Sequence, residues 1–380
     1  MEFIIQGQRT YGVHSIERIP TPGLLVFEDR VRENFQRMRE FLESVSPGSG
    51  FHHLCAHVKT HKSIHIMNQM RMVGIHSLKT TLNELPWVLR SGCRDVFLAY
   101  PLLEKDARWV ADACRQYPES RVSVHAGSRV HMEILRRVAQ ERNIRWRVFL
   151  DLDVGMHRTG ASPETASSLI RELEQGSMFD FMGLHGYDGH NHGPTESART
   201  RQSRRSMKVL IQVFHECAAA GIPVRRVIAA GSPSFLTDLR LLKRDLPSEV
   251  HVQVSPGTWV YWDSGYDTLW PGAFCLAALI LARVIDKGPG SRVTLNLGHK
   301  RWGADQGPLE RFSHPGMRVV SFNEEHMVTV LEKGPGLQVG DYVCAVPRHI
   351  CPTVNLYERA WLIDEQGRIG RVMPVDARNR

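Results

Sequence analysis

The sequence predicts an α/β protein built as a (β/α)8 TIM-like barrel followed by a mostly-β domain. Three observations carry this. From about residue 22, short β-like runs alternate with amphipathic helices, giving about eight units in some 240 residues. No glycine-rich turn follows the first strand-like run, where the alternative, a doubly wound sheet, usually places its phosphate site. After about residue 265 the helical stripes stop, and strand-like runs joined by Gly- or Pro-containing turns take over. The expected boundaries are 21–265 for the barrel and 266–380 for the β domain, with residues 1–20 adding a strand to the latter.

Each element has a local reason. "GLLVFE" (23–28) reads as a strand, and Val31, Phe35, Met38, Leu42 and Val45 follow it at helical spacing. "HLCAHV" (53–58) precedes a helix starting near Lys62. "GIHSLKT" (74–80) precedes "LNELPWVLRSG" (82–92), which Gly92 ends as a C′ residue. "DVFLAY", "RVSVHAG", "RWRVFLDLD", "FMGLHGY" and "RRVIAAGS" continue the alternation. In the helix after 153, Ser162 is placed to cap, Pro163 fits the first turn and Gly176 fits C′. "RVTLNLG", "HMVTVL", "DYVCAVP" and "AWLIDEQGRIGRV" are the strand candidates of the second domain. In a barrel, chemistry sits at the C-terminal ends of strands, where Lys59, Asp153, Tyr187 and Gly231 all fall.

Composition narrows the function classes. The chain has 380 residues, 42% apolar and 23% charged, as expected of a soluble globular enzyme. The net charge is +8, but Lys and Arg are scattered. No zinc-finger spacing, RNP-like segment or basic heptad helix is present, so nucleic acid is not an expected partner. The densest basic run, "ARTRQSRRSMK" (198–208), reads as the polar start of a helix. A basic surface also draws in anionic substrates and phosphates. The seven cysteines are irregularly spaced with no CxxC, which implies reduced thiols and a cytoplasmic protein. "MEFIIQGQRT" at the start has no signal-peptide pattern. The longest apolar run, "AFCLAALILA" (273–282), stops at Arg283, far short of the roughly 20 residues a membrane span needs.

Two stretches raise chemical questions by themselves. "HVKTHK" (57–62) puts two histidines and two lysines at the end of a buried-looking strand. Lys59 is either a solvated lysine or an amine whose pKa falls in a low-dielectric pocket, making it a nucleophile. His57, His61 and Lys62 would lower that pKa further when charged. In "PRHICPTVNL" (347–356), His349 and Cys351 are two apart. On an extended strand both would face the same way and could hold one metal ion.

Taken in order, these segments resemble the pyridoxal-phosphate enzymes of the D-threonine aldolase and D-serine dehydratase type, which share the alanine racemase fold. The resemblance runs from "TPGLLVFEDRVREN" (21–34) to "HICPTVNLYERAWLI" (349–363). It implies that Lys59 is the lysine that carries the cofactor. It implies that Arg158, in "DLDVGMHRTG" (151–160), lies near the cofactor ring and Tyr187, in "GLHGYDGHNH" (183–192), beside it. His192 matches the histidine used as a base, with His190 a rival because the spacing is one residue short. "AAGSPSF" (229–235) and "SPGTWVYWD" (255–263) stand at the two phosphate-side segments, which points to Gly231, Ser232, Gly257 and Thr258. Small residues suit close backbone approach to a phosphate. His349 and Cys351 match the metal pair, for Zn²⁺, Mn²⁺ or Mg²⁺. His157, Pro233 and Asn296 depart from the family pattern.

The resemblance therefore implies a metal-dependent pyridoxal-phosphate lyase, expected as a homodimer. Its substrate would be a small D-β-hydroxy amino acid of the D-threonine type, split by a retro-aldol reaction into glycine and an aldehyde. One alternative is a dehydratase acting on D-serine or D-3-hydroxyaspartate and giving a keto acid and ammonia. The other is a pyridoxal-phosphate-binding protein without turnover.

Overall fold

The computed structural model describes residues 1–5, 10–306 and 311–378. The chain divides into two compact units. One comprises Met1–Met38, Thr60–His65 and Thr258–Arg380; the other comprises Arg39–Lys59 and Ile66–Gly257.

The second of these is the barrel. Its eight parallel strands are Ala56–His57, Ser77–Thr80, Asp95–Leu98, Arg121–Ala126, Trp146–Leu152, Phe179–Gly186, Arg226–Ala229 and His251–Val254. Each pairs with the next in chain order. The ring is completed by a parallel bridge between Leu54 and Val254, with Cys55 N–H bonding the Val254 carbonyl at 2.9 Å. Side chains fill the interior in layers, as in other barrels of this size. Cys55, Phe97, Phe149, Met182 and Ile228 form an apolar cluster. At the strand starts, the buried Arg226 guanidinium bonds Asp95, Ser77 and Gln253. Toward the strand ends lie Lys79, His125, Asp151 and His185, all buried.

Two punctuation signals fare differently. Gly92 has a φ of +76° and its N–H bonds the Leu89 carbonyl at 3.0 Å, as a C′ glycine does. The helix Pro163–Gln175 has the expected bounds, but Ser162 makes no side-chain cap and Gly176 is extended at φ −79°. The Ser162 hydroxyl instead lies 3.4 Å from that of Thr165.

The other unit holds a sheet that runs Met317–Phe322, Met327–Leu331, Arg292–Leu295, Ala278–Lys287, Gly23–Phe27, Arg359–Ile363, Ile369–Pro374. Tyr342–Ala345 pairs with Ala278–Lys287 beside this path. The run 23–27, expected to open the barrel, belongs here. It lies antiparallel to Ala278–Leu281 and parallel to Ala360–Ile363. All five of its residues are buried, so it carries no alternation that would assign it to one sheet or the other. The eighth barrel strand is "HVQV" (251–254), too short and too polar to stand out in the sequence. Among the described residues of 1–20, Glu2–Ile4 and Thr10–Gly12 pair with each other as a separate two-stranded sheet of this unit. The run 273–282 is buried and enters the strand Ala278–Lys287. Among the described residues no helix is long and apolar enough to cross a membrane, and all seven cysteines are free of disulfides.

Gly183 is fixed by a close approach. A Cβ there would stand 1.8 Å from the Arg226 carbonyl oxygen, and its φ is +142°. Gly183→Ala is therefore expected to lower stability by at least about 2–4 kcal/mol, read as a fall in the urea midpoint.

Candidate active site

The Tyr187 ring organises the barrel's candidate site. The Lys59 amine lies 5.7 Å from the ring centroid, the Lys79 amine 5.2 Å and the Arg158 guanidinium carbon 5.0 Å. Three cations thus meet one ring face or edge, an arrangement suited to a bound anion with an aromatic body. Tyr187 follows the strand Phe179–Gly186, and Lys59 follows Ala56–His57 by two residues. Both stand at strand C-termini, as the sequence implied.

The two histidines expected to add charge around Lys59 do not supply it. Burial pushes the His61 imidazole down to about 3, so it is neutral at pH 7. His57 Nδ1 accepts the Lys59 backbone N–H at 3.3 Å, so that nitrogen carries no proton. The Lys62 amine bonds the Ala377 carbonyl at 3.5 Å. A titratable amine that does face the same ring is Lys79, which the sequence reading passed over. It is 3% exposed, and burial lowers its pKa to about 7. Its Nζ lies 2.9 Å from His185 Nε2 and donates to Ser255 Oγ at 3.0 Å. His185 Nδ1 lies 2.7 Å from Asp151 Oδ1. Burial, then the Lys79 charge, hold His185 down to about 3, so its ring is neutral. Nδ1–H therefore donates to Asp151 and Nε2 accepts from Lys79. Burial alone would raise Asp151, but His125 and His185 overcome this and keep it well below the usual range.

The phosphate-side residues are partly committed. Gly231 N–H donates to Asp188 Oδ1 at 2.9 Å, and Ser234 Oγ donates to the same atom at 2.8 Å. Asp238, also fully buried, is pushed well above the carboxylate range by burial and then by Asp188. A Cβ at Gly231 would lie 3.4 Å from the Tyr187 ring, so a side chain there would crowd it. Gly257 N–H points to Ser232 Oγ at 3.4 Å, which joins the two phosphate-side turns. An amine nucleophile, an arginine, an aromatic face and a turn of small residues fit pyridoxal phosphate in this unit. Ser232 and Gly257 suit its phosphate better than the committed Gly231 amide.

The histidines of the 183–192 loop diverge. His192 is exposed, its N–H on the His190 carbonyl at 3.0 Å. His190 is half-buried, with Nε2 3.4 Å from where a Gly155 Cβ would stand. His157, a departure from the family pattern, has a φ of +54°, and its Nδ1 lies 2.8 Å from Asp153 Oδ2.

In the other unit, His349 and Cys351 do not lie on a strand. The strand Tyr342–Ala345 ends, and His349 precedes the short helix Ile350–Asn355 that contains Cys351. Asp263 draws the chain round by accepting Ile350 N–H at 3.1 Å and Tyr266 N–H at 2.8 Å. Burial raises Asp263 to about 6. The pair still meets: burial would lower His349, but Cys351 and then Asp305 raise it to about 9. His349 Nδ1 lies 2.6 Å from Asp305 Oδ2, which leaves Nε2 for another partner. Cys351 Sγ lies 3.1 Å from Thr60 Oγ1 and 3.8 Å from Thr258 Oγ1. Among the described residues no group of three or more His, Cys, Asp or Glu stands in metal-holding geometry. One imidazole, one thiol and a carboxylate behind the imidazole fit a metal whose remaining positions are open. Asp305 carried no signal in the sequence, since its partner is 44 residues away.

Lys79 makes stability pH-dependent. Its folded value, about 7, lies below its unfolded value of 10.5. Between these the unfolded chain holds more protons, so this group makes stability rise with pH across that window. Below about 7 its burial cost is fully present. Subtracting the unfolding free energy of Lys79→Met from that of the native protein, at pH 6 to 10, should give a difference that climbs from about pH 7 upward.

Comparison with known proteins identifies the family. Residues 277–363 match the putative serine dehydratase domain. A D-threonine aldolase from Arthrobacter sp. is 24% identical over 96% of this chain and 94% of its own. A D-serine dehydratase from Schizosaccharomyces pombe is 23% identical over 49% of this chain and 46% of its own. The crystal structure of D-threonine aldolase from Filomicrobium marinum superposes with a TM-score of 0.85 at 23% identity, covering 97% of this chain and 98% of that one. Residues 26–265 match the alanine racemase N-terminal domain, so the chain belongs to that family, and within it resembles the D-threonine aldolases and D-serine dehydratases.

Proposed function

We propose that the protein is a metal-dependent pyridoxal-phosphate lyase that splits D-threonine-type β-hydroxy amino acids into glycine and an aldehyde. One observation carries the reading: a chain with a lysine and an arginine on one tyrosine ring also pairs His349 with Cys351 and backs that histidine with Asp305. A protein that only carried the cofactor would have no need of the second feature.

Pyridoxal phosphate, when bound, supplies an electron sink for charge left at Cα, and a divalent metal supplies a Lewis acid for the β-hydroxyl. Lys59 holds the cofactor through its amine, and Arg158 and Tyr187 flank the ring. Ser232 and Gly257, with Gly231 and Thr258, frame the phosphate. His349 Nε2 and Cys351 Sγ hold the metal, and Asp305 fixes the imidazole by taking its Nδ1 proton in a hydrogen bond. His192 takes the hydroxyl proton, with His190 as the nearest substitute. A homodimer belongs to this reading.

A second reading is favoured by Cys351. A thiolate ligand suits Zn²⁺, and the chain also resembles a D-serine dehydratase. In that case Lys59 removes the α-proton and the products are a keto acid and ammonia.

Product analysis with D-threonine decides between them. Glycine and acetaldehyde should form, should disappear with a chelator and should return with Mn²⁺ or Zn²⁺. Formation of 2-oxobutyrate and ammonia would instead support the dehydratase, and full activity in metal-free protein would remove the metal from the reading. His349→Ala should cost at least about 100-fold in turnover while leaving the borohydride-fixed cofactor adduct on Lys59 unchanged. Asp305→Asn should weaken metal affinity by about 10–100-fold, read by titration of the metal-free protein.

A further inference from the structure

Two carboxyl groups sit side by side behind the phosphate-side turn of the barrel, and the proposed reaction gives neither a role. Asp188 directly follows Tyr187, and Asp238 lies on the helix Phe235–Asp245. Both are fully buried. Hydrogen-bond donors crowd only one of them. Asp188 Oδ1 takes the Gly231 N–H at 2.9 Å and the Ser234 hydroxyl at 2.8 Å, and Asn191 Nδ2 lies 3.4 Å from Oδ2. Asp238 stands beside Asp188, Ser203 and Ser234, yet neither of its oxygens makes a well-formed hydrogen bond. The amide of Asn191 reaches into the same group, with Nδ2 3.0 Å from Ser203 Oγ, and its buried Oδ1 has no partner.

This asymmetry places a proton. Two adjoining carboxyl groups buried without a cation cannot both ionise. Asp188 already accepts from the Gly231 amide and the Ser234 hydroxyl, so the proton belongs on Asp238, which can then donate to Asp188. Burial, then Asp188, favour the neutral acid at Asp238. The titratable group facing Asp238 is Asp188; Ser203, on the helix Glu196–Ala219, and Ser234 stand beside it. His190, on the loop of Asp188, faces Gly155 instead, and His251 opens its strand at the other end of the barrel, on the His52 carbonyl. What Asp188 holds is strained. Ala230 is buried with a φ of +74°, a left-handed conformation rare for a residue with a side chain. Such a conformation persists only where its surroundings enforce it, and the next N–H, that of Gly231, is the one on Asp188.

We propose that Asp188 and Asp238 share one proton and that this pair locks the turn 230–234, which makes both of them positioning residues for the phosphate group that the turn receives. This rests on the pyridoxal-phosphate reading. With the proton in place, Asp188 keeps the Gly231 N–H, and the turn is left to offer Ser232, which already meets the Gly257 amide at 3.4 Å. Loss of the proton would set two anions against each other and drive Asp188 from its place. The segment 187–188 thus ties the ring side of the site to its phosphate side: the ring of Tyr187 meets the cations, and the carboxylate of Asp188 holds the turn.

Two measurements test this. The first reads the proton. A carboxyl that keeps its proton in the fold and loses it on unfolding makes stability fall as pH rises above the usual carboxyl range. Asp238→Asn offers Asp188 an N–H and cannot titrate. The unfolding constant of the native protein divided by that of Asp238→Asn should therefore climb with pH from about 5 upward, by up to about tenfold per unit. The second reads the turn. Cofactor-stripped protein is titrated at pH 7 with pyridoxal phosphate and with pyridoxal, and the ratio of the two dissociation constants isolates the phosphate, since ring and aldehyde are common to both. The native protein and Asp238→Asn should share one preference for the phosphate form. Asp188→Ala, which releases the Gly231 N–H, should lose at least about tenfold of it. Ser234→Ala, with a smaller loss, reads the same contact should Asp188→Ala fold poorly. A ratio of unfolding constants that stays flat with pH overturns the proposal. So does an undiminished phosphate preference in the alanine variants, or its loss in Asp238→Asn. A native protein that binds both aldehydes equally overturns it too, while the cofactor reading stands. Binding of neither overturns both.

Discussion

A buried positive charge needs a buried negative one, and much of the barrel's candidate site follows from how this chain meets that need. Lys59, Lys79 and Arg158 all approach the Tyr187 ring. Asp151, 3% exposed, is the anion that the hydrogen-bond chain through His185 connects to Lys79. The imidazole of His185 transmits its influence without carrying charge itself, because burial keeps that ring neutral. If Asp151 were lost, Lys79 would lose one of the groups that offset its desolvation and would hold its proton less well. The apolar cluster below, with Phe97 and Phe149, helps keep solvent from the buried Lys79 and Asp151.

How much of this was legible in the sequence depends on whether the controlling contact was local. The alternation of strands and helices was plain because each unit writes its own periodicity. The strand 23–27 could not be assigned from such a pattern, because all five residues are buried and its partners lie at 278–281 and 360–363. Lys59, Arg158, Tyr187, His349 and Cys351 were singled out through ordered short segments, and the first three do meet at one ring. Lys79 was in plain view in "GIHSLKT", yet nothing local separates a barrel-interior lysine from a solvated one. Its partners His185 and Ser255 are 106 and 176 residues away. The same holds for Asp305 and for Asp263, whose hold on Ile350 turns the expected strand at 349–351 into the start of a helix. A spacing argument assumes a backbone conformation, and here a distant carboxylate changed it while leaving the two side chains in contact.

The cations around Tyr187 serve an aldolase and a dehydratase equally, because both reactions leave negative charge at Cα. The distinction has to come from the groups that act at Cβ. A thiolate gives more charge to its metal than a carboxylate does, so a metal on Cys351 is a softer Lewis acid and acidifies a bound hydroxyl less. That weakens the case for carrying off hydroxide as much as the case for deprotonating the alcohol, and the metal pair alone does not choose. A base does. Retro-aldol cleavage needs a group that accepts the hydroxyl proton, whereas dehydration needs the hydroxyl to keep it and leave. His192 lies exposed on the loop after Tyr187, with His190 half-buried beside it, and each offers an imidazole for the proposed base. Two histidines in that loop would be superfluous to a dehydratase whose α-proton goes to Lys59. In the proposed function they are the candidates for the base that carbon–carbon cleavage needs.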